Sequence, residues 1–241
     1  MQALARLYEA SHGASTPQEI IAQAVQELFA GRIAVVSSFG AESAVLLHMI
    51  AAVDPATPVL FLDTGRHFRA TLEYRKTLAE RLGLQNVQDI LPLGEMLKKE
   101  DPFGALSMID KDRCCFIRKV EPMARAVAPF AAWMTGRKQF QAATRATLAV
   151  FEAVGPRMRI NPLARWQAAD LKAYAEQHDL PVHPLTAEGY RSIGCMPCTR
   201  PVYEGEDQRA GRWAGSEKTE CGIHLSGLTD RLKNLGASDQ T

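Results

Sequence analysis

Two hydrophobic periods alternate along the chain, and each switch between them marks a change of element. A short β-branched run at 33–37 predicts a buried strand, and further strands are predicted at 58–62, 88–91 and 131–135. Between them, apolar residues recur at helical spacing. Ile21, Ala24, Val25 and Leu28 form one such stripe, giving a helix to about residue 30. It is opened by Thr16-Pro17-Gln18-Glu19, the pattern of a capping box with proline at the first helical position. Further helices are predicted over 43–52, 67–82, 113–126 and 167–178, the last carrying Ala168, Leu171, Tyr174 and Ala175 on one face. Residues 92–110 show no regular period, and Gly155-Pro156 interrupts 151–160. Strands alternating with helices predict an α/β fold: an open, mostly parallel sheet with helices on both faces. Turns and polar residues dominate from Asp179 onward.

Composition narrows the function classes. The 241 residues suffice for one α/β core. With 46% hydrophobic and 23% charged residues the chain has an ordinary soluble make-up. A formal net charge of +1 provides no bulk field for polyanions, so no nucleic-acid partner is expected and any anion site must be local. The longest apolar run, 44–53, falls short of the roughly 18 residues of a membrane helix. No secretory pattern opens the chain. A cytoplasmic protein without a membrane partner is the expectation.

Cysteine usage adds chemistry. The five are Cys114, Cys115, Cys195, Cys198 and Cys221, which divide as four plus one. In a reducing compartment, Cys195-Met196-Pro197-Cys198 and the adjacent pair suit an iron–sulfur cluster or a structural zinc, and adjacency favours the cluster. Buried, chemically inert thiols are the plainer alternative. Cys221 stands apart in Lys218-Thr219-Glu220-Cys221-Gly222-Ile223-His224-Leu225, where nearby cationic and basic groups suit a working thiolate.

Anion-binding candidates surround these thiols. Ser37-Ser38-Phe39-Gly40-Ala41-Glu42-Ser43 lies where a strand turns into a helix, so backbone N–H groups and serine hydroxyls can hold a phosphate. Asp63-Thr64-Gly65 ends the next strand at the same edge, either beside a nucleotide or as a helix cap. Basic residues follow: Arg118 and Lys119, then Arg137, Lys138 and Arg145, then Arg209 and Arg212. Arginine forks recognise phosphate and sulfate oxygens, so several gathered at one sheet edge would make an anion pocket.

On these residues, with Thr135-Gly136-Arg137, Gln141, Gly194 and Arg209-Ala210-Gly211-Arg212-Trp213, the chain resembles the assimilatory phosphoadenylyl-/adenylyl-sulfate reductases. That family belongs to the adenine-nucleotide hydrolase-like fold shared with PP-loop pyrophosphatases. The resemblance implies a nucleotide-binding α/β domain over 1–200, carrying the iron–sulfur site. It implies a mobile C-terminal catalytic segment over 201–241 that is not an independent domain. Cys221 would attack the sulfur of an adenylyl sulfate, releasing AMP and leaving a cysteine S-sulfonate. Thioredoxin or glutaredoxin would then free sulfite, with His224 assisting near the nucleophile. Cys114, Cys115, Cys195 and Cys198 would bind a 4Fe–4S cluster, a trait of members using the nucleotide without a 3′-phosphate. Ser38, Gly40 and Ser43 would line the phosphate loop, with Asp63 beside the nucleotide. Lys119, Arg209 and Arg212 would hold the phosphosulfate, with Arg137 and Arg145 in the same anion pocket. Phe116-Ile117 and Ala214 depart from the family pattern and affect local packing.

Three rival readings stay open: the same reaction on the 3′-phosphorylated nucleotide, an ATP-dependent PP-loop adenylating enzyme, and a zinc-stabilised nucleotide-binding module. The adenylating enzymes favour a more glycine-rich loop than Ser-Phe-Gly-Ala-Glu-Ser. Self-association is left open.

Overall fold

The computed structural model describes residues 1–214, 218 and 220–224, apart from the side chain of His224. Helices α1 (Gln2–His12) and α2 (Pro17–Gln23) open the chain, and α2 continues through a π turn at Ala24–Leu28. The capping box at α2 is formed: Thr16 accepts from the Glu19 N–H at 3.3 Å, and Glu19 accepts from the Thr16 N–H at 2.8 Å. Next come β1 (Ile33–Ser37), α3 (Ser43–Val53), β2 (Val59–Leu62), α4 (Arg69–Leu82) and β3 (Val87–Ile90). After them follow α5 (Gly94–Glu100), α6 (Leu106–Ile109), α7 (Lys111–Cys115), α8 (Glu121–Val127) and β4 (Ala132–Thr135). The hairpin β5 (Phe151–Val154) and β6 (Arg157–Ile160) and then α9 (Ala168–Gln177) complete the regular elements.

The six strands form one sheet in the order β3-β2-β1-β4-β6-β5, all neighbours parallel except the β5–β6 hairpin. Side chains alternate across it, as the twofold period of a strand requires. Val35, Phe61 and Met134 point into a core shared with Ile20, Leu47, Ile50 and Leu78. Ala34, Leu60 and Trp133 point into a second core with Met123, Ala124 and Val127 of α8. Both faces are therefore covered, as the alternating periods predict. The edge strand β3 is half-exposed, which fits its polar Gln88 and Asp89.

Four local differences from the sequence reading have physical causes. The interrupted stretch 151–160 is a hairpin, because Gly155 adopts φ 58° and turns the chain tightly. The irregular 92–110 contains α5 and α6, held by tertiary contacts: buried Asp101 accepts from Arg118 at 2.7 Å and from the Leu106 N–H at 2.9 Å. Helix α1 packs on β5, with the Tyr8 and Phe151 rings 5.7 Å apart. The helix expected over 113–126 is α7 and α8 joined by a π turn at Phe116–Val120. Such turns re-aim the side chains that follow and are frequent at functional sites. This one carries Arg118 and Lys119.

Strand order reverses between β1 and β4. Ligands of open α/β sheets collect outside the carboxyl ends of the strands at that switch point.

Candidate active site

A cavity of about 220 Å³ opens at the switch point. Ser37, Ser38, Gly40 and Ser43 line it from the end of β1, and Thr135, Gly136 and Arg137 from the end of β4. Phe39 holds the first loop in shape: it is fully buried at φ 47°, and its ring meets Phe61 edge-on at 5.6 Å. A bulky residue in the left-handed region is strained and needs such packing to persist.

The cavity also collects Lys119 from the π turn, Arg145 from the loop after β4, and Arg209, Arg212, Glu220 and Cys221 from the returning C-terminal segment. That segment is fastened to the preceding chain through backbone bonds, Arg200 N–H to Gly211 at 2.9 Å and Trp213 N–H to Cys198 at 2.9 Å. Gly194 allows this close packing, since a Cβ there would stand 2.4 Å from the Arg212 guanidinium, which would have to shift. Arg212 lies over the Trp213 ring at 4.5 Å, and its Nε is buried with no hydrogen-bond partner among the described residues.

Nearly all the sequence candidates thus converge: Ser38, Gly40, Ser43, Lys119, Arg137, Arg145, Arg209, Arg212 and Cys221 line one cavity. Asp63 stands apart from that lining, and its Oδ1 accepts from the Gly65 N–H at 2.9 Å in a local turn. His224 belongs to a short helical turn at Gly222–His224, its side chain lying outside the described set. The closing positions Thr219 and Leu225, and 225–241 of the proposed segment, also lie outside it.

Not every arginine presents its charge to a ligand. Arg137 is paired with Glu152 and bonded to Asn161, and burial pushes its guanidinium down to about 10. Burial, with Arg145 beside it, does the same to Arg209. Arg145 meets Glu220 bidentately, Nε to Oε1 at 2.6 Å and Nη2 to Oε2 at 2.7 Å. Burial alone would raise the Glu220 carboxyl, but Arg145 and then Arg209 outweigh it and hold it below the usual range. The sequence reading assigned Glu220 no role, although it precedes the singled-out cysteine. Glu42 was missed too. It pairs with fully buried Lys138 and accepts from Gln141 at 2.8 Å and from Gln208 at 3.0 Å, tying the first loop to the returning segment. Carboxylates that pair across such distances leave no local pattern.

Cys221 is buried beside Cys115, Lys119 and Arg212. Contact with the Cys115 thiol, opposed by burial and helped by Lys119, the Ile223 N–H and Arg212, holds Cys221 well below the ordinary thiol range. The same contact raises Cys115. Burial alone would lower the Lys119 ammonium, yet Cys195, Cys221 and Cys115 raise it, so it remains charged. Lys218, expected beside the nucleophile, pairs with Asp112 of α7.

The other four cysteines also meet. Cys114, Cys115, Cys195 and Cys198 line one small void with Arg118, Lys119 and Trp213, and the Thr64 hydroxyl lies 3.3 Å from the Cys195 sulfur. Burial pushes Cys114 and Cys198 up. Among the described residues, no three His, Cys, Asp or Glu side chains form a single-ion site. Nor is any described helix long and apolar enough to cross a membrane.

Comparisons with known proteins agree with this geometry. A model of the phosphoadenosine phosphosulfate reductase domain matches residues 32–201. Adenosine 5′-phosphosulfate reductase of Mesorhizobium japonicum is 60% identical over 220 residues, covering 91% of this chain and 87% of that protein. Phosphoadenosine 5′-phosphosulfate reductase of Gloeobacter violaceus is 40% identical over 213 residues, covering 86% and 88%. Among solved structures, phosphoadenylyl-sulfate reductase from Candida auris in a phosphate complex superposes with a TM-score of 0.67 at 27% identity, covering 81% of this chain and 96% of that one.

Proposed function

The chain belongs to the phosphoadenosine phosphosulfate reductase family, and on that premise we propose that it reduces adenosine 5′-phosphosulfate to sulfite and AMP. The observation that carries this reading is the seat of Cys221. It borders a cavity at the carboxyl edge of the sheet, with Lys119 and Arg212 beside it. The unbonded Arg212 Nε is a buried donor that a sulfate oxygen would satisfy.

The nucleotide phosphate lies against the Ser38–Ser43 loop, where N–H groups and hydroxyls accept a negative charge. The Cys221 thiolate attacks the sulfur of the phosphosulfate. A sulfur–sulfur bond forms, the sulfur–oxygen bond to the phosphate breaks, and AMP leaves with the electron pair. Lys119 and Arg212 bind the sulfate oxygens and balance the charge that builds there. A dithiol reductant of the thioredoxin or glutaredoxin type then attacks the Cys221 sulfur. A mixed disulfide forms as sulfite departs with the bonding pair. The second reductant thiol then displaces the Cys221 thiolate to close the reductant's own disulfide, so two electrons pass from the dithiol to the product. His224 is the proposed assistant beside the nucleophile.

Cys114, Cys115, Cys195 and Cys198 fit a 4Fe–4S cluster, since four thiols spread around one void match a group that takes one thiolate per iron. When bound, that group supplies a fixed charge centre near Lys119 and cross-links α7 to the Cys195–Cys198 turn. With Cys115 ligating, its proton is no longer available to Cys221. Lys119, the Ile223 N–H and Arg212 remain beside the thiolate.

The test is thioredoxin-dependent sulfite release by anaerobically purified protein, offered each nucleotide separately. Turnover of the unphosphorylated nucleotide, abolished by Cys221→Ser with binding retained, is the expected result. Preference for the 3′-phosphorylated form would overturn the substrate assignment, and an active Cys221→Ser the nucleophile.

A further inference from the structure

The reaction above gives Glu220 no step, yet it is among the most tightly held groups of the site. Its side chain and that of Arg145 are 6% and 7% exposed. One carboxylate takes the Arg145 fork at 2.6 and 2.7 Å, the Thr144 hydroxyl at 3.3 Å and Arg209 Nη2 at 3.5 Å. A buried ion pair costs desolvation and is retained only when its geometry satisfies both partners, as here. The partners come from two places. Thr144 and Arg145 belong to the cavity wall after β4, whereas Arg209 arrives with the segment that carries the nucleophile.

The next residue is Cys221, and the one after it, Gly222, lies so close to Val120 of the π turn that a Cβ would stand 2.9 Å from that side chain. Glu220 on one side and Gly222 on the other therefore fix where the thiol sits. The clasp also has a consequence for the ligand. Carboxylate, phosphate and sulfate oxygens all compete for the same guanidinium edge. Arg145 cannot offer its Nε–Nη2 edge to Glu220 and to a substrate oxyanion at once.

We propose that Glu220 is the positioning residue that seats Cys221 over the cavity, and that a phosphosulfate engages the Nε–Nη2 edge of Arg145 only in exchange for the Glu220 carboxylate. This rests on the function proposed above. The Thr144 and Arg209 contacts of Glu220 keep Cys221 seated through the attack. The lost Arg145 edge leaves a weaker hold, from which the sulfonated thiol can turn toward a reductant.

The test uses Glu220→Gln, isosteric but uncharged, with the shorter Glu220→Asp as a graded control. Adenosine 5′-phosphosulfate affinity is measured by calorimetry on a Cys221→Ser background. The rate of S-sulfonate formation is read by mass spectrometry in the Cys221 proteins without reductant. Glu220→Gln is expected to bind the nucleotide about tenfold tighter, because no internal anion must leave, while S-sulfonate forms about tenfold slower at saturation. Glu220→Asp should fall between. Unchanged or weaker binding, or an unchanged rate, overturns the proposal. If the Cys221→Ser parent binds no nucleotide and the wild type forms no S-sulfonate, the reaction assignment fails. The clasp is then judged by trypsin cleavage within 201–224 of the nucleotide-free protein. Faster cleavage of Glu220→Gln supports it, and an unchanged rate overturns it.

Discussion

Two arginine–glutamate networks border the same cavity, and they differ in how far apart in the chain their partners lie. Around Glu152 the partners are neighbours: Arg159 is seven residues away, Asn161 nine and Arg137 fifteen. One carboxylate there takes Arg159 at 3.0 and 3.1 Å, Asn161 at 2.6 Å and Arg137, all within the β4–β6 region. Around Glu220 the separation from Arg145 is 75 residues. The first network closes on itself and makes Arg137 a rigid part of the wall. The second joins the wall to the segment bearing Cys221. An arginine that lines the cavity is therefore not automatically free for an anion; the carboxylate that reaches it decides.

The largest expected effect separates these networks. Glu152→Gln leaves Arg137 and Arg159 buried without a counter-charge, and removing one partner of such a cluster costs about 3 kcal/mol or more. Denaturant unfolding should register that loss, whereas the effect of Glu220→Gln should appear in nucleotide binding and S-sulfonate formation. A Glu152→Gln protein of wild-type stability but altered nucleotide affinity would erase the distinction.

A second long-range contact titrates. His183 is fully buried, its Nε2 3.0 Å from the Thr71 hydroxyl and its Nδ1 accepting from the Leu185 N–H at 3.2 Å. Burial pushes it from 6.5 down to about 4. The unfolded chain therefore takes up a proton at a pH where the folded protein does not. Stability from this group is complete above pH 6.5 and falls as the pH drops toward 4, by roughly 3 kcal/mol. Urea unfolding from pH 7 to 4 measures the slope, and His183→Asn should flatten it. A slope that survives the substitution would assign the acid sensitivity to other groups.

The smallest effect belongs to the most local contact. Thr16→Ala removes the capping box of α2, and thermal melts should report a loss of about 1 kcal/mol with sulfite release unchanged. Altered turnover would mean that α2 communicates with the site.

The same division by range explains what could be read in advance. Strands β1 to β4, the Thr16 cap and helices such as α3 and α9 follow from short runs and the 3.6-residue period, which neighbours in the chain determine. The hairpin over 151–160 was ambiguous because a single glycine decides it, and α5 and α6 because Asp101 stabilises them from within a tertiary contact. The thiols and basic residues of the site were visible by type, and their convergence at the β1–β4 switch point follows from strand order. Which cation is neutralised was not visible. Glu152, Glu220 and Glu42 are ordinary glutamates in sequence, and nothing local predicts which cations they pair with.

By itself, then, the sequence determined the α/β alternation, the serine-bearing loop at the end of β1, the four-plus-one cysteines and the family to which they point. Only the tertiary structure decided that Arg137 is held by Glu152, that Asp63 closes a local turn outside the cavity lining, and that Arg145 and Arg209 pair with the residue before Cys221. Periodicity is a property of neighbours in the chain. Charge compensation in a buried cavity is a property of neighbours in space, and it depends on which carboxylate the fold delivers to each arginine.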